Sequence, residues 1–374
     1  MRNNCKLLNF VIVTGLVAFS VFTVLNTEYW LIFNKFAHTG TGRGDVLMVN
    51  ASTENSNEPT KAHRKVIIIV SRYRSGSSFT GEIFNSDPRI FYIYEPLHGL
   101  FDHKNISRQT RRFGRVGGTP LKLDVLRALA RCNGSRYYAP RTDLLTASRA
   151  VRDAMMHDDD KRPLSRRIVE HADPDFLTRL CRRHEHVAIK TIRVRVAEIA
   201  DLVATFSDDV DLKVIHLVRD PRGMIASWMG GRGVTSMRDS SWLCRGMLAD
   251  VRAGETLARS SPHAYMRLRY EDLAARPLAT ARRMYTFVGM AMSDATMRWI
   301  RDNTNNETSV LFAAKERRNG QFRRNSTATS LAWRTRMRPP LIHVIENNCH
   351  ELLKLVGFQL TSSHATSTNI TQGY

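Results

Sequence analysis

Val66–Val70 (VIIIV) is an unbroken run of β-branched residues. It empties directly into Ser71-Arg72-Tyr73-Arg74-Ser75-Gly76-Ser77-Ser78-Phe79-Thr80-Gly81-Glu82. A run this apolar reads as a strand buried on both faces, as in the middle of a parallel sheet. Val187–Ile192 (VAIKTI) and Leu212–Val218 (LKVIHLV) share that character, and Ile90–Tyr94 (IFYIY) is an aromatic-rich fourth. Helical patterns lie among them at Gly81–Asn85, Leu121–Arg131, Asp175–Arg183, Arg195–Phe206, Met224–Met229 and Leu243–Ala258. Strands alternating with helices predict an α/β fold with a central parallel sheet. Ligands of such sheets bind beyond the C-terminal ends of the strands, so the segments following each strand carry the functional reading.

The segment after VIIIV has the composition of a phosphate cradle. A small-residue turn running into a helix aims backbone N–H groups, and the positive end of the helix dipole, at an anion. Gly76 allows close backbone approach, Ser77 and Ser78 bring hydroxyls, and Arg74 brings a fixed charge. The nucleotide-triphosphatase pattern GxxxxGK[ST] is absent, which argues against a nucleotide kinase. Taken alone, Ser-Gly-Ser-Ser also reads as an ordinary βα turn with a serine cap. After LKVIHLV comes Arg219-Asp220-Pro221-Arg222-Gly223-Met224-Ile225-Ala226-Ser227. Arg219 ends the strand, Pro221 opens the next helix, and Ser227 in its second turn can reach the anion that Arg219 holds. The plain alternative is a salt-bridged Arg219-Asp220 strand end and an ordinary helical serine.

The N-terminus sets the compartment. Residues 7–25 form a 19-residue uncharged stretch (LLNFVIVTGLVAFSVFTVL), close to the length of a bilayer-spanning helix. Arg2 and Lys6 precede it, and Tyr29 and Trp30 follow as an interfacial pair, so residues 1–6 are expected in the cytosol and the rest in the lumen. The run exceeds the h-region of a cleaved signal peptide and lacks a convincing cleavage site, which favours a signal anchor. Residues 26–64 read as a polar stem, 65–360 as the globular domain, and 361–374 as a disordered tail. Of the five cysteines, Cys5 lies before the anchor; Cys132, Cys181, Cys244 and Cys349 make an even lumenal set with three possible pairings. Sequons stand at Asn50, Asn105, Asn133, Asn306, Asn325 and Asn369. No Cys/His cluster has zinc spacing.

Arg74-Ser75-Gly76-Ser77-Ser78-Phe79, then Tyr94-Glu95-Pro96-Leu97-His98, and the Arg219/Ser227 pair eight residues apart resemble the Golgi carbohydrate sulfotransferases. Arg267-Leu268-Arg269-Tyr270-Glu271-Asp272-Leu273 matches a further family element, with Glu271 or Asp272 expected to cap a helix or pair with an arginine. The resemblance spans 65–360 and is weakest at 105–175. It implies a P-loop-like three-layer sulfotransferase fold with a central parallel sheet, preceded by one transmembrane helix. It implies 3′-phosphoadenosine 5′-phosphosulfate (PAPS) as donor and no metal. Arg74, Ser75, Gly76, Ser77, Ser78, Phe79 and Thr80 would hold the 5′-phosphosulfate, and Arg219 and Ser227 the 3′-phosphate. The branch most similar acts on the 6-hydroxyl of Gal, GlcNAc or GalNAc. The acceptor would be a glycosaminoglycan or glycoprotein glycan, reached in the Golgi lumen by a single-pass type II enzyme. A catalytically inactive lumenal binder of sulfated glycans is the alternative, and a homo-oligomer is left open.

Sulfuryl transfer to a hydroxyl needs charge stabilisation, a base and an oriented acceptor. Arg74 is expected to stabilise charge, because a guanidinium is a poor proton donor. Glu95 is the expected base, on the premise that IFYIY neighbours the first strand; a structural ion pair with Arg72 or another loop arginine is the alternative. His98 is the second candidate. Lys190 inside VAIKTI is expected to face a sulfate or to pair with an acid.

Charge supports this reading and disfavours nucleic acid. The formal net charge is +21, with 56 Lys+Arg against 35 Asp+Glu. Residues 107–195 hold 21 basic and 10 acidic residues, and 315–338 hold 8 and 1. The first segment is the expected acceptor-facing surface, and Arg323 or Arg324 in the second is a candidate for the 3′-phosphate. A signal anchor and lumenal cysteines do not suit a nucleic-acid binder.

Overall fold

A computed structural model of the chain describes residues 63–98, 119–133, 142–156, 162–171, 173–206, 210–229, 237–304 and 326–361. The expected cytosolic tail, membrane span and nearly all of the stem lie outside them. So do Arg323, Arg324, the residues beyond 361, and every sequon except Asn133. Among the described residues no helix is long and apolar enough to cross a membrane.

β1 (Arg64–Ser71) leads into α1 (Ser77–Asn85) and then β2 (Ile90–Tyr94). Next come α2 (Thr119–Ala130), α3 (Thr142–Leu145), α4 (Arg149–Met155), α5 (Leu164–His171), α6 (Pro174–Arg182) and β3 (His186–Thr191). α7 (Val196–Thr205) precedes β4 (Val210–Val218); α8 (Pro221–Met229) and the long α9 (Met237–Ser260) precede β5 (Tyr265–Arg269). Then follow α10 (Tyr270–Ala275), α11 (Pro277–Val288), α12 (Asp294–Thr304), α13 (Ser326–Leu331), α14 (Trp333–Arg336), α15 (Pro339–Asn348) and α16 (His350–Val356). Local chemistry marks several ends. Asp173 caps α6 by accepting the Phe176 N–H at 2.6 Å, with Pro174 in the first turn. Gly289, at φ 68°, terminates α11.

The five strands form one parallel sheet in the order β2-β3-β1-β4-β5. Period-two alternation divides β1 between two helical layers. Val66, Ile68 and Val70 pack with Leu126 of α2, Leu177 of α6 and Ile199 of α7. Ile67 and Ile69 pack with Phe84 of α1, Leu273 of α10 and Tyr285 of α11. This is the expected three-layer α/β arrangement. A further apolar cluster joins Met224 of α8, Met247 of α9, Trp333 of α14, Ile345 of α15 and Leu353 of α16.

One expectation is corrected. IFYIY does not neighbour the first strand; β2 pairs with β3, and β3 lies between β2 and β1. A crossover helix is about 10 Å wide while strands sit about 4.8 Å apart, so a βαβ unit readily steps over one position. β3 fills that position. The cysteine pairing, open in the sequence, is Cys132–Cys181 and Cys244–Cys349.

Candidate active site

The C-terminal ends of β1, β2, β3 and β4 open on a cavity of about 550 Å³, within the range of small-molecule sites. Gly76, Ser77, Ser78, Phe79, Arg74 and Ser227 line it, as do Glu95, His98 and Arg219. Ser75 and Thr80 are buried in the same loop and first helical turn.

The loop between β1 and α1 turns sharply. Gly76 precedes α1 at φ 90°, and no side chain caps the helix N-terminus. A Cβ at Gly76 would sit 2.3 Å from the Tyr270 ring, so glycine is required by space as well as by φ. Arg74 is held at φ 72°, a strained conformation for a residue with a side chain. Its Nε donates to Ser227 Oγ at 2.9 Å, and Arg219 Nη1 donates to the Arg74 carbonyl at 3.0 Å. The two motifs, some 145 residues apart in sequence, therefore meet as one surface.

Arg219 is 6% exposed and lies with Cζ 4.4 Å from the Tyr270 ring centroid. Its Nε and the Ser75 hydroxyl are buried without hydrogen-bond partners. Unpaired buried donors are costly, and Arg219, which lines the cavity at the end of β4, stands where a polyanion would satisfy its Nε; Ser75 instead lines a separate small pocket with His216 and Asp250. With the open α1 N-terminus, Arg74 and Arg219 make a donor set that fits a phosphosulfate and a phosphate. Arg222 has a different task. It is buried, forks onto Asp220 (Nη2 to Oδ2, 2.7 Å), reaches Glu346 Oε1 at 2.5 Å, and stacks 4.2 Å from the Trp333 centroid. Those contacts tie α8 to α14 and α15.

Glu271, expected to cap a helix or pair with an arginine, instead bonds a backbone N–H just past the end of β4. Its Oε1 accepts the Asp220 N–H at 3.0 Å, while Oε2 is buried without a partner. Burial, with the neighbouring Asp220 charge adding, pushes its carboxyl up to about 7.

Glu95 sits just past β2 in a left-handed conformation, φ 49°, and is 3% exposed. Its N–H donates to the Lys190 carbonyl at 2.9 Å, continuing the β2–β3 ladder. Lys190 Nζ reaches Oε1 at 2.5 Å and Arg193 Nη1 reaches Oε2 at 2.6 Å. Arg72, the partner considered from the sequence, instead pairs with Asp250 at 3.1 Å. Lys190 thus pairs with an acid, and its ammonium also lies 4.5 Å from the Tyr94 ring centroid. The His98 N–H donates to the Glu95 carbonyl at 3.0 Å.

Some lining residues carried no sequence reading as site residues: Arg193, Tyr270, Ser326, Thr329 and Trp333. Tyr270 had a signal, since it lies inside the Arg-Tyr-Glu-Asp-Leu element. Thr329 and Trp333 lie within the basic segment 315–338, and among the described residues no strand leads into them, so the strand-end rule does not reach them.

A sulfotransferase domain model matches residues 64–357. Carbohydrate sulfotransferase 1 of Rattus norvegicus is 30% identical over 373 residues, spanning 88% of this chain and 87% of that protein. Carbohydrate sulfotransferase 3 of Homo sapiens is 28% identical over 344 residues, spanning 82% and 70%. A solved retinol dehydratase in complex with androsterone and inactive cofactor PAP aligns at TM-score 0.41 and 18% identity, over 77% of this chain and 80% of that one. At that score the likeness carries no argument.

Proposed function

The chain belongs to the sulfotransferase domain family, and from that premise we propose that it transfers a sulfuryl group from PAPS to a sugar hydroxyl of a glycan. The carrying observation is the junction of the two motifs, with Arg74 bonded to Ser227 and Arg219 bonded to the Arg74 carbonyl. One end of the site then suits a phosphosulfate and the other a 3′-phosphate.

When bound, the donor supplies the activated sulfuryl group and a phosphate leaving group. The chain's residues supply the rest. The α1 N-terminus and Arg74 face the charge that builds on the transferring group. Arg219 and Ser227 hold the nucleotide end. Lys190 and Arg193 fix the Glu95 carboxylate in one orientation through one bond to each oxygen. A carboxylate offers about four acceptor directions, so two remain for an acceptor hydroxyl. Glu95 is the base of this reading.

A second reading follows from the same ion pairs: with both oxygens engaged, Glu95 is a positioning group and His98 takes the proton. Glu95→Gln decides between them. As the base, it lowers kcat about 10²- to 10⁴-fold with PAP affinity kept. Near-normal turnover with intact PAP binding assigns the proton to another group.

The 6-hydroxyl of Gal, GlcNAc or GalNAc is the proposed target, supported by the likeness to the carbohydrate sulfotransferases. The proposed location is the Golgi membrane, as a single-pass type II protein with its domain in the lumen. That placement rests on the uncharged run at 7–25, its basic N-terminal flank, and two disulfides that require an oxidising compartment. A radiolabelled-donor assay across a glycan panel, with product position located by disaccharide analysis, tests the whole. Glycan binding without transfer to any acceptor would leave only the inactive binder.

A further inference from the structure

Scattered exposed apolar side chains are ordinary; a group of them beside a cavity marks a binding surface. Among the described residues five large hydrophobic side chains are exposed, and three of them, Tyr73, Met229 and Trp242, connect to the Arg72-Tyr73-Arg74 loop or to the helix that faces it. Tyr73 lines the cavity and is still 58% exposed. Its ring stacks on Trp228 with centroids 6.4 Å apart and planes at 27°. Arg74 Cζ lies 5.5 Å from the Tyr73 centroid. Trp228 and Met229 end α8, directly after the Ser227 that Arg74 contacts. Trp242 on α9 is 64% exposed, with Arg72 Cζ 5.7 Å from its ring centroid. Arg72 is fixed there by Asp250 and by Gly246, one turn along α9, where a Cβ would sit 2.3 Å from Nη2.

The rings are therefore held in place by cations and by one another. Rigid aromatic faces bind with little loss of conformational entropy. An exposed ring flanked by guanidinium donors matches the chemistry of a pyranose. One face of the sugar is a patch of C–H groups suited to an aromatic ring, and its rim of hydroxyls suits hydrogen-bond donors. The platform is continuous with the cavity through Tyr73 and Arg74, beside the group to be transferred, where the acceptor must arrive.

We infer that Tyr73, backed by Trp228, is the acceptor's sugar subsite, with Trp242 and Arg72 extending it along the glycan. This rests on the glycan-transfer reading above. The occupant is a neutral pyranose of the acceptor chain, lying on the exposed Tyr73 face.

The test uses the full-length chain in detergent. The probes are an unsulfated Gal–GlcNAc repeat oligosaccharide and a chondroitin oligosaccharide. Two quantities are read: KM for acceptor and for PAPS, and saturation transfer from protein to oligosaccharide in the presence of PAP. Tyr73→Ala raises the acceptor KM about 3- to 10-fold and weakens saturation transfer, with the PAPS KM unmoved. Tyr73→Phe recovers most of that loss, because stacking survives without the hydroxyl. Trp242→Ala gives a smaller rise. Both side chains are exposed, so truncation leaves the fold intact.

An unchanged acceptor KM in Tyr73→Ala overturns the subsite while leaving glycan transfer standing. A PAPS KM that rises while the acceptor KM stays constant also overturns it, and gives the ring to the nucleotide. Oligosaccharide binding that depends on Tyr73 without any sulfate transfer supports the subsite and removes the transfer reading. A wild-type protein that binds neither oligosaccharide overturns both.

Discussion

Gly76→Ala tests whether the turn between β1 and α1 is built around the Tyr270 ring. Two penalties follow from the structure. The residue sits at φ 90°, where a side chain costs about 1–2 kcal/mol. The new Cβ also lands 2.3 and 2.4 Å from two Tyr270 ring carbons, and Tyr270 is itself buried. Overpacking of this kind costs about 1–3 kcal/mol. The sum is about 2–5 kcal/mol, or roughly 3–8 °C in Tm for a domain of about 290 residues. The same displacement moves Tyr270 from beneath Arg219, so PAP binding should weaken beyond the stability loss. Thermal unfolding and titration calorimetry with PAP measure both. Pairing Gly76→Ala with Tyr270→Ala separates the terms: the steric part should vanish in the double variant and the φ part persist, a coupling of about 1–3 kcal/mol. An unchanged Tm in Gly76→Ala, or strictly additive effects, would refute the argument.

Two further outcomes are expected. Arg219→Ala should weaken PAP binding by at least about 2 kcal/mol, some 30-fold, with Ser227→Ala milder; calorimetric affinity within about threefold of wild type would remove Arg219 from the site. Glu271 links the site to pH. Its carboxyl is raised to about 7 in the folded protein, so between its unfolded pKa, about 4.5, and about 7 the native state binds more protons and stability falls as pH rises. The loss approaches about 3 kcal/mol above pH 7. Asp250, raised to about 6, contributes a slope of the same sign at lower pH. Comparing wild type with Glu271→Gln by denaturant unfolding between pH 6 and 8 isolates the Glu271 share; parallel curves would contradict it.

The strands were legible because burial on both faces leaves a local signature. VIIIV, VAIKTI and LKVIHLV became β1, β3 and β4 within two residues at each end. β5 (YMRLR) carried no such signature. At the sheet edge it needs fewer apolar positions, and it was visible only through the Arg-Tyr-Glu-Asp-Leu element that follows it. The anion-binding segments were legible for a related reason. A strand end, a glycine and a helix start lie within a few residues, and that proximity is their geometry. Lys190 as an anomaly was also legible, since a lysine inside a buried strand requires a partner.

By itself, then, the sequence determined the α/β class, the two motifs, and the positive balance that suits a polyanionic ligand. Tertiary structure decided which distant segments meet. The β1–β2 crossover steps over a strand, and that one choice gives Glu95 to Lys190 and Arg193 and leaves Arg72 to Asp250. It likewise selected one cysteine pairing from three, placed Tyr270 beneath Arg219, and set Tyr73 against Trp228 on the cavity rim. The physical reason is range. Burial patterns, turns and caps act over a few residues and leave local marks. The partner of a charge, a thiol or a ring is chosen by the packing of elements roughly 50 to 150 positions apart, and no local pattern records it.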